Sequence, residues 1–217
     1  EDSPFYAGKE KITIYEYNPQ EGRALLEEAG WTWKDGEEYY KNEAGEELVL
    51  KLTTTDSSFR KAWASEWERQ MKVCGVRIVL VHVQPSWWFG ENAGLVRRDF
   101  EIGAFAWVGR GDPAGYTLWA CDQIPVIENN YSGQNYMGWC NDVADKAIRT
   151  ATSSYVPSIR KEAYDIVQRE YTKDVPGIPL YRRILVLSAA PDLTGLDQFS
   201  IDGQYLHNAS DWMRPGK

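Results

Sequence analysis

The sequence predicts an α/β fold, a mixed sheet flanked by helices, and three neighbouring hydrophobic patterns carry that prediction. Leu48, Leu50 and Leu52 recur at every second position, the period of a strand with one buried face. Phe59, Trp63, Trp67, Met71 and Cys74 then recur at helical spacing, with Arg60, Glu66, Arg69 and Lys72 on other faces. Beyond Gly75, residues 76–83 are almost continuously β-branched or apolar, which suits a strand covered on both faces. Strand, helix and strand in that order make a crossover unit with parallel strands, expected to be right-handed.

The other elements follow from caps, breakers and period. Asn18-Pro19 opens a helix over residues 20–29 with Ala24, Leu25, Leu26 and Ala29 as its apolar side, and Gly30 stops it at C′. Asp35-Gly36 and Glu43-Ala44-Gly45 are turn signals around a short hairpin at residues 38–41. The first strand then runs over residues 47–54 and the amphipathic helix over 58–74. A short helix is expected at 87–93, and a third strand at 99–107, ending in the turn-rich Gly109-Arg110-Gly111-Asp112-Pro113. Residues 116–120 fit one helical turn. A helix at 142–150 has Asn141 as its cap. Another, at 159–171, gathers Ile159, Ala163, Ile166, Val167 and Glu170 on one side. Strands near 178–181 and 184–188 would close the domain, and the polar, Gly-punctuated tail after Pro191 receives no assignment.

Bulk properties narrow the function. A chain of 217 residues suits one large domain or two small ones, and its 43% apolar and 26% charged content is that of an ordinary globular protein. A net charge of −8 with scattered Lys and Arg argues against nucleic acid, which is bound by clustered cations. The Arg-Arg pairs are Arg97-Arg98 and Arg182-Arg183. No apolar run approaches the roughly 20 residues of a membrane span. The outlying number is aromatic: 10 Trp and 13 Tyr supply contact area for a core or for sugars, peptides and other organic ligands.

Catalytic and metal constellations are not found. Gly-x-Ser-x-Gly, His-Glu-x-x-His and a Walker-type loop are absent. Ser58-Phe59-Arg60-Lys61 matches Ser-x-x-Lys but lacks its Lys-Thr-Gly partner, so Ser58 reads as a helix start. Glu27-Glu28 and Glu37-Glu38 fall on solvated surfaces. Without Cys-x-x-Cys, and with only His82 and His207, zinc spacing is excluded; no cofactor, no metal and no enzyme activity are expected.

Three phrases in order carry a resemblance: Ala24-Leu25-Leu26-Glu27-Glu28-Ala29-Gly30-Trp31, Asn135-Tyr136-Met137-Gly138-Trp139-Cys140-Asn141-Asp142-Val143-Ala144-Asp145, and Asp174-Val175-Pro176-Gly177-Ile178-Pro179-Leu180-Tyr181. Together they resemble the bacterial extracellular solute-binding proteins of family 5, the peptide, nickel and oligosaccharide receptors of ABC importers. The resemblance runs over residues 18–195 and implies a periplasmic-binding-protein type II-like lobe, the carboxyl-terminal one of two. The chain, residues 1–217, is therefore expected to be a single domain and a fragment of a longer protein whose amino-terminal lobe is missing. A peptide or oligosaccharide solute, ABC permease subunits and a periplasmic or extracellular location, with lipid anchoring through the missing part, are implied as well. A free-standing carbohydrate-binding module, suggested by aromatic abundance, is the alternative.

The same resemblance and the residue chemistry nominate site residues. The segment after the third strand would line the cleft, bringing Trp107 for stacking and Arg110 for carboxylate or hydroxyl groups, with Asp112 in the Asp-Pro turn. Asn135 and Tyr136 offer amide and phenol groups in a loop rich in Asn, Gly and Tyr. Trp88, Tyr181 and Arg182 are further candidates, and Asp145 is expected to order loop and helix. Cys121 and Cys140 bracket that loop; the oxidising compartment implied by the family favours a disulfide over two reduced thiols, leaving Cys74 buried and unpaired.

Overall fold

Hydrogen bonding between residues 49–83 builds the centre of the molecule. In the computed structural model, which describes residues 3–109, 112–182, 186, 188–196 and 206–215, β1 (Val49–Thr55) pairs in parallel with β2 (Arg77–Val83) over seven residues, from Val49 opposite Arg77 to Thr55 opposite Val83. The helix between them, α2 (Ser58–Val73), starts on Ser57, whose hydroxyl accepts from the Arg60 N–H. The strand–helix–strand unit is thus as expected, with parallel strands. Before it, α1 (Pro19–Glu28) is capped by Asn18. The expected hairpin at 38–41 is reduced to single antiparallel bridges of Lys41 with Thr32 and Glu47.

The apolar stripe of α2 is only partly buried. Steps of four residues overshoot a helical turn by about 40° each, so a strict four-residue stripe winds around the helix. Its middle, Trp63, Trp67 and Met71, packs on Leu52, Ala64, Val76 and Ile78 in the sheet core. Its ends do not: Phe59 is half exposed, and Cys74, expected to be buried, is exposed. Arg60, expected on a face other than the apolar stripe, is buried.

That arginine explains why the third strand is short. The strand expected over residues 99–107 forms as β3 (Ile102–Gly103), parallel to β1 through Leu52 and Thr53, giving the order β2-β1-β3. The Ala104 carbonyl accepts from Thr54 Oγ1 (2.8 Å) and from Arg60 Nη1 (3.2 Å). Side chains of β1 and α2 therefore take the bond that would continue the ladder. β2, expected to be covered on both faces, lies at the edge of this sheet and alternates at its start, with Ile78 buried between exposed Arg77 and Val79.

After β2 the expected helix at 87–93 appears as two turns, α3 (Pro85–Trp88) and α4 (Gly94–Arg97). Pro85 starts the first earlier than expected, and Gly94, at φ +53°, separates the second from it. After β3, α5 (Tyr116–Trp119) leads to the antiparallel pair α6 (Asp142–Ser153) and α7 (Pro157–Asp174). Ala147, Ile148 and Ala151 of α6 pack with Ala163, Tyr164 and Val167 of α7, forming a second core. Residues 178–181, expected as a strand, make no ladder; the expected strand at 184–188 falls largely outside the described residues.

The loop between α5 and α6 is tied at its base. Cys121 and Cys140 form a disulfide with a Cα–Cα distance of 4.8 Å. Asn135, fully buried, donates to the carbonyls of Ala120 (3.1 Å) and Trp139 (2.8 Å) and accepts from the Trp139 N–H (3.2 Å). Asp145, as expected, orders this region: it accepts from the Cys121 N–H (2.7 Å) and from Arg149 Nε (2.8 Å). Asn141 caps α6 through the N–H groups of Val143 and Ala144.

Two substitutions test these supports. Gly75 has φ +77°, and a Cβ there would stand 2.8 Å from the ring of Tyr40, whose N–H donates to the Gly75 carbonyl. Gly75→Ala should lower unfolding free energy by about 2 kcal/mol in urea titrations, from backbone strain plus overpacking. The Asp145 carboxyl is held below the usual carboxylate range, first by the Arg149 hydrogen bond and then, against burial, by the Cys121 N–H. A carboxyl depressed in the folded state stabilises above its unfolded pKa, near 4, and loses that contribution as pH falls through the folded value. The stability gap between wild type and Asp145→Asn should therefore be widest above about pH 4 and shrink below it.

Candidate functional site

Because β1, β2 and β3 are parallel, their carboxyl ends meet one edge of the sheet, the place where open α/β sheets receive ligands. Large rings gather just beyond those ends. Phe59 follows β1, Trp87 follows β2, and Phe105 and Trp107 follow β3; Phe59, Trp87 and Trp107 are exposed. Tyr181 meets Phe59 edge-on at 6.0 Å. Exposing this much aromatic surface is unfavourable unless something covers it in use.

The best-defined part is a group of three rings. Trp107, 44% exposed, lies parallel to Tyr136, with planes 8° apart and centroids 6.1 Å apart. Phe105 meets both edge-on, at 5.1 Å from Trp107 and 5.9 Å from Tyr136. Phe105 and Trp107 share a side because residues 104–109 run without helix, where side chains two apart point the same way. Tyr136 reaches them from the tied loop, one residue after Asn135. Burial pushes its phenol pKa up, so the neutral O–H is retained as donor and acceptor.

The loop is also gripped from α4. The Arg97 guanidinium lies 3.5 Å over the Tyr131 ring. That of Arg98 lies against Gly138, where any Cβ would collide with it. Arg98, Asn130 and Tyr131 all adopt positive φ, at 55°, 54° and 55°, an unfavourable backbone held by these contacts.

The structure brings together Trp107 and Tyr136 among the residues nominated from sequence, and separates others. Trp88 is wholly buried between Trp87 and Phe100 and belongs to the core, a correction to its nomination: β2 and α3 turn it inward and leave Trp87 outside. Asn135 is corrected likewise, because its amide is used up by the backbone of its own loop. Asp112 is paired with both terminal nitrogens of Arg160, whose hydrogen bonds hold its carboxyl below the usual range. With the Tyr164 hydroxyl donating to the Pro113 carbonyl, that pair tethers the segment after Trp107 to α7. Tyr181 and Arg182 are exposed, Tyr181 beside Phe59. Arg110 lies outside the described residues. Phe105, which sequence reading passed over, was signalled by its two-residue spacing from Trp107 in an extended stretch.

Among the described residues no group of three or more His, Cys, Asp or Glu is placed to hold a metal, and no helix is long and apolar enough to cross a membrane. Among known proteins, the "Peptide transport periplasmic protein SapA" of Salmonella typhimurium is 28% identical over 201 residues, covering 88% of this chain and 32% of its own length. The "Oligopeptide-binding protein AppA" of Bacillus subtilis is 23% identical over 170 residues, covering 78% and 30%. The chain thus spans about a third of the length of these relatives. Of solved structures, AppA in complex with a nonapeptide superposes with TM-score 0.70 at 21% identity, covering 98% of this chain and 40% of that one. The Thermotoga maritima protein bound to mannohexaose gives 0.69 at 15% identity, covering 81% and 33%. These likenesses show the fold, a periplasmic-binding-protein type II-like lobe. Residues 1–123 match the family described as "Bacterial extracellular solute-binding proteins, family 5 Middle", and the chain belongs to the bacterial extracellular solute-binding proteins of family 5.

Proposed function

We propose that this chain is one lobe of a two-lobed receptor that captures a short peptide or an oligosaccharide and delivers it to the permease of an ABC importer. The observation that carries this reading is the exposed Trp107–Tyr136 pair, held at the carboxyl edge of the sheet by a tied loop. Parallel rings with an accessible face stack on a pyranose, an aromatic side chain or a peptide plane, and they leave the ligand chemically unchanged. No reaction is assigned to the lobe. Membership in a solute-binding family sets aside the free-standing carbohydrate-binding module.

The missing lobe is supported by length and by surface. Relatives are about three times as long. Thr13 and Tyr15 bond to Thr172 and Lys173 at the end of α7, and Ile14, Tyr15 and Tyr17, like Ile178, Leu180 and Tyr181 after that helix, are exposed. Coverage by the rest of the polypeptide accounts for such an apolar surface. The SapA proteins are described as periplasmic, which fits the disulfide and supports the same location here, with permease subunits as partners.

The test is a thermal-shift and calorimetric screen of the full-length protein against tri- to pentapeptides and mannohexaose. At least one class should raise the melting temperature, since ligand at 100 times its Kd stabilises by about 2.7 kcal/mol. The ligand should be recovered intact by mass spectrometry. Trp107→Ala should weaken that binding about tenfold or more, with little change in the ligand-free melt. No shift with any probe, or turnover of the bound one, would count against the receptor reading.

A further inference from the structure

We infer that Phe105 is the positioning residue of the ligand platform: it holds Trp107 and Tyr136 parallel and so fixes which ligands stack well. This rests on the receptor reading for what the platform does, but the ring arrangement is independent of it. The three centroids form a nearly equilateral triangle, with sides of 5.1, 5.9 and 6.1 Å. Phe105 is tilted by 68° to Trp107 and 67° to Tyr136, so both rings meet it at the same angle. Contact with one ring at the same tilt limits the rotation of both, and the two lie within 8° of parallel.

The chain connectivity makes such a third ring necessary. Trp107 stands on the segment that leaves β3 after the ladder has ended at Ala104, so no strand neighbour fixes its backbone. Tyr136 stands on a separate loop, anchored through Asn135 to Ala120 and Trp139. Phe105 joins the two: it shares a backbone segment with Trp107 and a ring contact with Tyr136. Edge-to-face contacts are directional, because the positive edge of one ring meets the negative face of another, whereas an aliphatic side chain of similar volume fills the space without setting an angle. Phe105 is half-buried, whereas Trp107 remains 44% exposed beside it.

The experiment compares Phe105→Leu, Phe105→Tyr and Trp107→Leu in the full-length protein. The near-ultraviolet circular dichroism that disappears in Trp107→Leu defines the contribution of the stacked pair. In the absence of any ligand, Phe105→Leu should lose most of that contribution while its thermal midpoint stays close to wild type, and Phe105→Tyr should retain it. With whichever probe binds, a pentapeptide or mannohexaose, Phe105→Leu should weaken affinity about tenfold and Phe105→Tyr should restore it. A Phe105→Leu protein with the wild-type spectrum, or with the wild-type affinity, overturns the inference. If Trp107→Leu weakens binding and Phe105→Leu does not, the positioning role fails while the receptor reading stands. If neither weakens binding of a probe that does bind, the platform itself is not the ligand face.

Discussion

Asn135 is the constraint on which the aromatic platform of this chain depends. The stretch from Cys121 to Cys140 is polar and Gly-punctuated, with too few apolar groups to fold itself around a core. It must nevertheless present Tyr136 at a fixed place. One buried amide, two donors and an acceptor, gathers both ends of the loop by bonding Ala120 on one side and Trp139 on the other. The disulfide joins the same two ends at the next residues, and Asp145 fastens the Cys121 N–H to the first turn of α6. Covalent, amide and carboxylate ties act on the same few residues. The disulfide works mainly on the unfolded chain, while the amide sets the native geometry, so the ties are complementary rather than redundant.

From that anchored base the arrangement propagates outward to the sheet. The ladder between β1 and β3 stops where Thr54 and Arg60 seize the Ala104 carbonyl, and a buried guanidinium in that position is satisfied by backbone and hydroxyl oxygens. Ending the ladder there frees residues 105–109 from sheet geometry and lets Phe105 and Trp107 swing toward the loop. Asp112 and Pro113 then fasten the far end of the segment to α7 through Arg160 and Tyr164. A strand continuing to Trp107 would have placed the indole against its strand neighbour instead of beside Tyr136. The short strand is therefore part of how the platform is made.

Much of the fold was legible because it rests on local pattern: alternation in β1, period in α2, caps at Asn18 and Asn141, and the parallel pairing that the strand–helix–strand order demands. What escaped depends on partners distant in sequence. Arg60 fell outside the apolar stripe, and its burial could not be read locally because its acceptors lie on β1 and after β3. Trp87 and Trp88 are adjacent, and nothing local decides which turns inward. Asn135 looked like a ligand group because an amide serves a loop and a sugar equally well; only the three backbone atoms around it decide. In the site, Trp107 and Tyr136 were legible as residue types, and their contact was not, because it joins positions 29 apart through a loop whose path is set by the ties at its base.

The energetics of such a platform bear on the proposed two-lobed receptor. If a ligand covered roughly 200 Å² of apolar surface on Trp107 and Tyr136, hydrophobic transfer at about 25 cal/mol/Å² would supply about 5 kcal/mol. Association costs about 4–15 kcal/mol in lost translational and rotational freedom, so this face alone gives weak capture. Rigidity lowers the ordering cost on the protein side, which is what the ties and the third ring contribute. It adds no new contact area. In the proposed receptor the remainder would come from a facing surface that encloses the ligand, excludes water and strengthens every hydrogen bond inside. The exposed aromatic face and the unburied apolar residues at Ile14–Tyr17 and Ile178–Tyr181 fit the half-enclosure proposed above, in which the geometry would be fixed in advance and the affinity would arrive on closing.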